Sequence, residues 1–107
     1  MSAPVAPLVF DVVLRVKPDR VDDWLREVAT IVDAMSQEDT FVSCDLHRDA
    51  SDPTVFTLYE RWTEPDVETF LVRQDKPYRR AYEAKLPELL QGPREPRILI
   101  PLRSWSR

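Results

Sequence analysis

Between Leu8 and Met35 the spacing of apolar residues changes from two to three-and-four, and this change constrains the fold more than any other feature of the chain. "LVFDVVLRV" (8–16) is rich in β-branched residues and alternates, with Phe10, Val12, Leu14 and Val16 on one face of a strand. "KPDRVDDWLREVATIVDAMSQED" then sets Val21, Trp24, Leu25, Val28, Ile31, Val32 and Met35 on one helical face, with Asp19 expected as its N-cap. Alternation returns in "FVSCDLHRD" (41–49), and the turn-forming "ASDP" leads into a further alternating run, "TVFTLYERW", which predicts a hairpin.

After Trp62, "TEPDVETFLVRQ" predicts a helix capped by Thr63, with Val67, Phe70 and Leu71 sharing a face. "DKP" interrupts that helix, because a residue preceding proline is pushed out of the helical region. It resumes with Tyr78, Ala81, Tyr82, Leu86, Leu89 and Leu90 as the buried stripe, and Pro87 is expected to kink or restart it. Gly92, the one glycine, falls where a left-handed C-terminal residue is expected. Ile98, Ile100 and Leu102 predict a last strand, which Pro101 marks as an edge or an end.

Strand, helix, strand, strand, helix, strand is the order of a ferredoxin-like α+β fold, an antiparallel four-stranded sheet with both helices on one face. A chain of 107 residues, 43% hydrophobic and 32% charged, has room for one such domain, with its core over about 8–102. The other sheet face would carry Val13, Arg15, Asp45, His47, Val55, Thr57, Tyr59 and Leu99, a set too apolar to be fully wet. A homodimer packed sheet to sheet as an α/β barrel would cover it, with "PLRSWSR" reaching across to bury Trp105.

Several function classes fall away on composition. A net charge of −4 without a basic tract interleaved with aromatics argues against nucleic acid as a partner. No uncharged apolar run reaches the ~18 residues that suggest a membrane span. Met1–Pro7 lacks the features of a secretory leader, and the single Cys44 permits no disulfide within the chain, so a cytoplasmic setting is expected. One glycine permits neither a phosphate-cradling loop nor a dinucleotide fingerprint, and one His with one Cys on opposite faces cannot supply a zinc site. No metal and no cofactor is therefore expected. His47, the lone histidine, points away from the helices beside Asp45, in position either for acid–base work or for a hydrogen bond in the sheet or dimer contact. Lys76, Arg79 and Arg80 present either a solvated helix face or a patch that steers an anionic substrate.

The remaining signal is in "TVFTLYERW", where an inward face of Phe56, Leu58, Glu60 and Trp62 ends with a carboxylate beside an indole. An inward carboxylate needs a partner or a cavity holding water. Together, "VKPDRVDDWL", "DLHRDASDPTVFTLYERWTEPD" and "KLPELLQGPREPRILI" resemble the antibiotic biosynthesis monooxygenase family of small dimeric ferredoxin-like proteins, across nearly the whole chain. In "YERW" the resemblance implies that Glu60 and Trp62 border a substrate cavity. It further implies Phe10, Phe56, Phe70 and Leu71 as substrate contacts, with Glu60 or Tyr82 handling a proton.

The implied activity is cofactor-independent oxygenation of a small quinol-like or polyphenolic compound. Where such oxygenases and the haem-degrading branch carry a first-strand asparagine this chain has Val12, and where the family carries a second-helix histidine it has Leu71. "KLPELLQGPR" resembles the branch containing the autoinducer-2 phosphate isomerase, although Val32 and Lys76 or Pro77 stand where that branch has histidines. Two alternatives accompany the oxygenase reading, namely isomerisation of a small carbonyl compound and non-catalytic small-molecule binding by the dimer.

Overall fold

A computed structural model of the chain describes residues 8–107; Met1–Pro7, the stretch read above for a leader, lies outside the described residues. The elements are β1 (Leu8–Arg15), a 3-10 turn (Pro18–Arg20), α1 (Val21–Met35), β2 (Phe41–Arg48), β3 (Val55–Trp62), α2 (Val67–Arg73), α3 (Pro77–Leu89) and β4 (Glu95–Leu99). The four strands form one antiparallel sheet in the order β2-β3-β1-β4, the ferredoxin-like arrangement expected from the element order. Phe10, Val12 and Leu14 of β1 and Val16 just after it, together with Phe56, Leu58 and Trp62, bury against Trp24, Val28, Ile31 and Met35 of α1 and against Tyr82, Leu86 and Leu89 of α3. These are the faces that the two spacings single out.

Element ends differ from expectation where backbone groups find better partners. Asp19 does not cap α1: it sits inside the 3-10 turn, and the capping position is Arg20, which makes no side-chain cap bond. Thr63 does not cap α2 either, because the helix begins only at Val67, and the Thr63 N–H and hydroxyl both donate to the Thr40 carbonyl, at 2.8 and 3.3 Å, extending the sheet contact. Asp66 takes that role, accepting the Thr69 N–H at 2.7 Å. Gly92 is not a left-handed terminator, since no glycine has positive φ and a Cβ there would meet nothing within 4 Å. Instead α3 ends because Leu90 turns extended and bridges to Val16, while the Gln91 N–H donates to the Arg15 carbonyl at 2.7 Å. Pro87 lies inside α3 without ending it. The last strand stops at Leu99, so Ile100 and Leu102 fall beyond it and are exposed.

A bulge between Phe41 and Ser43 is absent from the simple alternation of "FVSCDLHRD". It inserts Val42, so Phe41 faces Trp62 while Cys44, Leu46 and Arg48 remain on the helix side. The Phe41 and Trp62 rings meet edge to face with centroids 5.2 Å apart. Ser43, Asp45 and His47 stay on the open face, with His47 opposite Thr57.

Candidate functional site: a cavity between sheet and helices

A cavity of about 250 Å³ opens between the sheet and the helices. Phe10, Val12 and Leu58 form its floor, Ile31 and Met35 of α1 one wall, Phe70 and Leu71 of α2 another, and Ile98 of the edge strand its rim. Its polar lining residues are few: Glu60, Tyr82, Arg79 and Arg94. An apolar body with a small group of convergent polar side chains is the usual composition of a small-molecule site. A space of this size suits a small compound of one or two rings.

Glu60 sits on β3 between two strands, across from Phe10 on one side and Cys44 on the other, and is only 7% exposed. The period-two phase of β3 forces it inward, and Trp62, two residues on, donates its indole N–H to Oε1 at 3.2 Å. Burial pushes the Glu60 carboxyl above the ordinary glutamate value, and the Trp62 hydrogen bond, Arg79 and Arg94 oppose that shift. Tyr82 comes from α3, where the Trp24 indole N–H donates to its hydroxyl oxygen at 3.1 Å. That bond occupies the oxygen as acceptor, and the phenol's own proton has no acceptor among the described residues. Burial raises the Tyr82 phenol above its ordinary range, so it stays protonated at neutral pH and can act as a proton donor rather than a base.

Of the residues named from sequence, the fold brings Phe10, Glu60, Phe70, Leu71 and Tyr82 to the cavity. Leu71 is 62% exposed and so belongs to the mouth. Trp62 and Phe56 are not on its surface. Trp62 is fully buried behind it, with its ring 5.1 Å from that of Phe70, and Phe56 packs on Trp24 with centroids 4.8 Å apart. The physical reason is depth: both side chains share the inward face, but the rings of α1 and α2 close over them. Trp62 thus acts on the cavity from behind, through its hydrogen bond to Glu60 and its contact with the Phe70 ring.

The helix cations divide as well. Lys76 pairs with Glu38 at 3.4 Å and Arg80 with Asp75 at 2.5 Å, whereas Arg79 lies over the Phe70 ring at 5.6 Å and lines the cavity. Arg94 was not anticipated, and no local signal marks it, since it enters only because the chain turns back after α3 to form β4. The network of Glu64, which accepts from Thr40 at 2.7 Å and from Arg73 at 3.0 Å, was also missed; it ties α2 to the start of β2. Burial, with Glu60 and Asp45 adding to it, pushes the Cys44 thiol up to about 12, which keeps it unreactive. Among the described residues no cluster of three or more His, Cys, Asp or Glu side chains is placed to hold a metal, and no helix is long and apolar enough to cross a membrane.

This arrangement of sheet and helices recurs in known proteins. The family model described as antibiotic biosynthesis monooxygenase matches residues 7–85. The chain belongs to that family. It is 28% identical over 111 residues to "Putative monooxygenase GME11364" of Pestalotiopsis microspora, covering 100% of this chain and 92% of that one. In three dimensions the fold is similar to that of PA3566 from Pseudomonas aeruginosa (TM-score 0.82, 22% identity, 95% of this chain and 100% of that one). It is also similar to Rv0793 from Mycobacterium tuberculosis (TM-score 0.79, 24% identity, 94% and 100%). A crystallised antibiotic biosynthesis monooxygenase superposes with a TM-score of 0.78 at 19% identity, over 90% of this chain and 99% of that one. At these identities the structural matches speak for the fold of the family, and Glu60, Tyr82 and the arginines must be read from this chain's own geometry.

Proposed function

We propose that this member of the family is a monooxygenase that oxidises a small quinol-like or phenolic compound without a bound cofactor. The observation that carries the reading is the apolar cavity whose one acidic lining residue, Glu60, is buried, shifted upward and held by an indole, beside a phenol that keeps its proton. Glu60 removes a proton from the substrate, and the resulting electron-rich anion reduces dioxygen. A ring carbon becomes a carbonyl: one oxygen atom stays on it, and the other leaves as water with the two hydrogens lost by the substrate. The protein's part is to raise the basicity of Glu60, to hold the ring against Phe10 and Phe70, to offer the Tyr82 proton to developing oxyanion charge and to exclude bulk water. The related protein from Pestalotiopsis microspora, whose name reads "Putative monooxygenase", supports the same class.

The test is oxygen consumption by the purified protein with dithranol-like and quinol substrates. Uptake should be stoichiometric with carbonyl product and should rise with pH through the raised Glu60 value. No uptake with saturable ligand binding would instead support a non-catalytic binding dimer, and interconversion of a small carbonyl compound without oxygen use would support an isomerase.

In the same reading the working unit is a homodimer. Val13, Val55, Tyr59 and Leu99 remain half-buried on the face away from the helices, and Ile100, Leu102 and Trp105 extend exposed beyond β4. A second sheet at ~10 Å would cover the first group, and the tail crossing to the partner would cover the second. Light scattering at micromolar concentration should give a mass near twice 12.5 kDa. Tyr59→Asp should lower it toward that of one chain, and a monomeric parent protein would remove the barrel from the proposal.

A further inference from the structure

The polar end of the cavity carries more positive charge than the chain itself neutralises. Arg79 and Arg94 both line it, and Glu60 is the one acidic residue that does. Arg94 already shares its guanidinium with Glu83 at 2.6 Å. Arg79 differs from its neighbours: Arg73, Lys76 and Arg80 pair with Glu64, Glu38 and Asp75, while Arg79 makes no ion pair among the described residues. It is half-buried, lies over the Phe70 ring and borders an apolar space. Because burial also favours the protonated form of Glu60, the local balance becomes still more positive when that proton is kept.

The geometry points to a ligand that is itself an acid: an aromatic carboxylate of one or two rings, whose carboxylate is held by Arg79 with Arg94 while the ring lies against Phe10 and Phe70. This rests on the small-molecule reading of the cavity above and specifies its substrate class as hydroxylated aromatic acids. A guanidinium presents paired donors that match a carboxylate, and charge-assisted hydrogen bonds strengthen where water is excluded. A neutral compound of the same shape would cover the Arg79 group without offering it an acceptor, which opposes binding. Holding the acid group at the arginines also fixes the orientation of the ring, so that a hydroxyl elsewhere on it can be presented to Glu60 or Tyr82.

Calorimetric titration of the intact protein at neutral pH with 1-hydroxy-2-naphthoate and with 1-naphthol separates the possibilities. The acid should bind at least about tenfold more tightly than the alcohol, the ratio expected of one charge-assisted contact. Arg79→Gln should abolish that preference by weakening the acid's binding, with 1-naphthol binding no more weakly than to the parent protein, and Arg80→Gln, one residue on and paired with Asp75, should leave the ratio of the two affinities unchanged. If Arg79→Gln does not fold by circular dichroism, Arg94→Gln provides the same readout and should narrow the ratio. Equal binding of acid and alcohol by the parent protein would overturn the acid preference and leave the cavity reading standing. Binding of neither would overturn both, and an undiminished preference in both folded arginine variants would remove the arginines from recognition.

Discussion

Glu60→Gln is expected to lower oxygen uptake on a quinol substrate by about 10²–10⁴-fold, the usual contribution of a positioned base. The amide keeps an oxygen to accept the Trp62 indole N–H, now 3.2 Å from Oε1, and keeps the volume, so the loss should be one of chemistry and not of folding. Stability should carry a second signature. Burial raises the Glu60 carboxyl above its ordinary 4.5, so between that value and the folded-state value the native protein holds a proton that the unfolded chain has lost. Its contribution to stability is complete below the unfolded value and is lost as pH rises through the folded one. Asp49, Asp52 and Asp66 are shifted downward by hydrogen bonds from Ser51, Thr54 and Thr69, and their contributions fade as pH falls below the ordinary aspartate value of 3.8, outside that window. The parent protein's melting temperature should therefore decline from about pH 4.5 toward neutrality, and Glu60→Gln should flatten that decline. Parallel curves, together with undiminished uptake, would show that Glu60 is neither shifted nor a base.

Trp62→Ala should be the most destabilising single change among the residues of the site. The indole is fully buried, contacts the rings of Phe41 at 5.2 Å and Phe70 at 5.1 Å, and donates to Glu60. Removing it leaves a void that the surrounding rings cannot fill, a change that typically costs about 3–5 kcal/mol. Total stability for a domain is only about 5–15 kcal/mol, so the variant should melt at least ~12 °C lower and approach instability at 37 °C. Glu60 also loses its donor, which pushes its carboxyl further upward. Trp62→Phe retains the ring packing and should recover most of the melting temperature but not that hydrogen bond. Thermal unfolding followed by circular dichroism decides the matter, and a Trp62→Ala transition within a degree or two of the parent's would mean that the ring does not support the fold.

The sequence by itself determined the order of elements, the inward face of each strand and the identity of the residues competing for the interior. It did so because side-chain direction follows backbone period directly: alternation assigns Phe10, Phe56, Leu58, Glu60 and Trp62 to one side of a sheet, and three-and-four spacing assigns Trp24, Val28 and Ile31 to one side of a helix. Period says nothing of depth along that side, so only packing decided that Trp62 and Phe56 lie beneath the rings of the helices while Phe10, Phe70 and Tyr82 border open space. Caps followed the same division. Asp66 prevailed over Thr63, and Leu90 ended α3 in place of Gly92, because Thr63 is held against Thr40 beyond the end of β3 by its N–H and hydroxyl and Val16 paired with Leu90, contacts made between residues far apart in the chain. Arg79 and Arg94 meet at one cavity although a helix and a turn separate them, and Trp24 reaches Tyr82 across 58 residues. Those convergences depend on how the helices close over the sheet, and no local pattern encodes them.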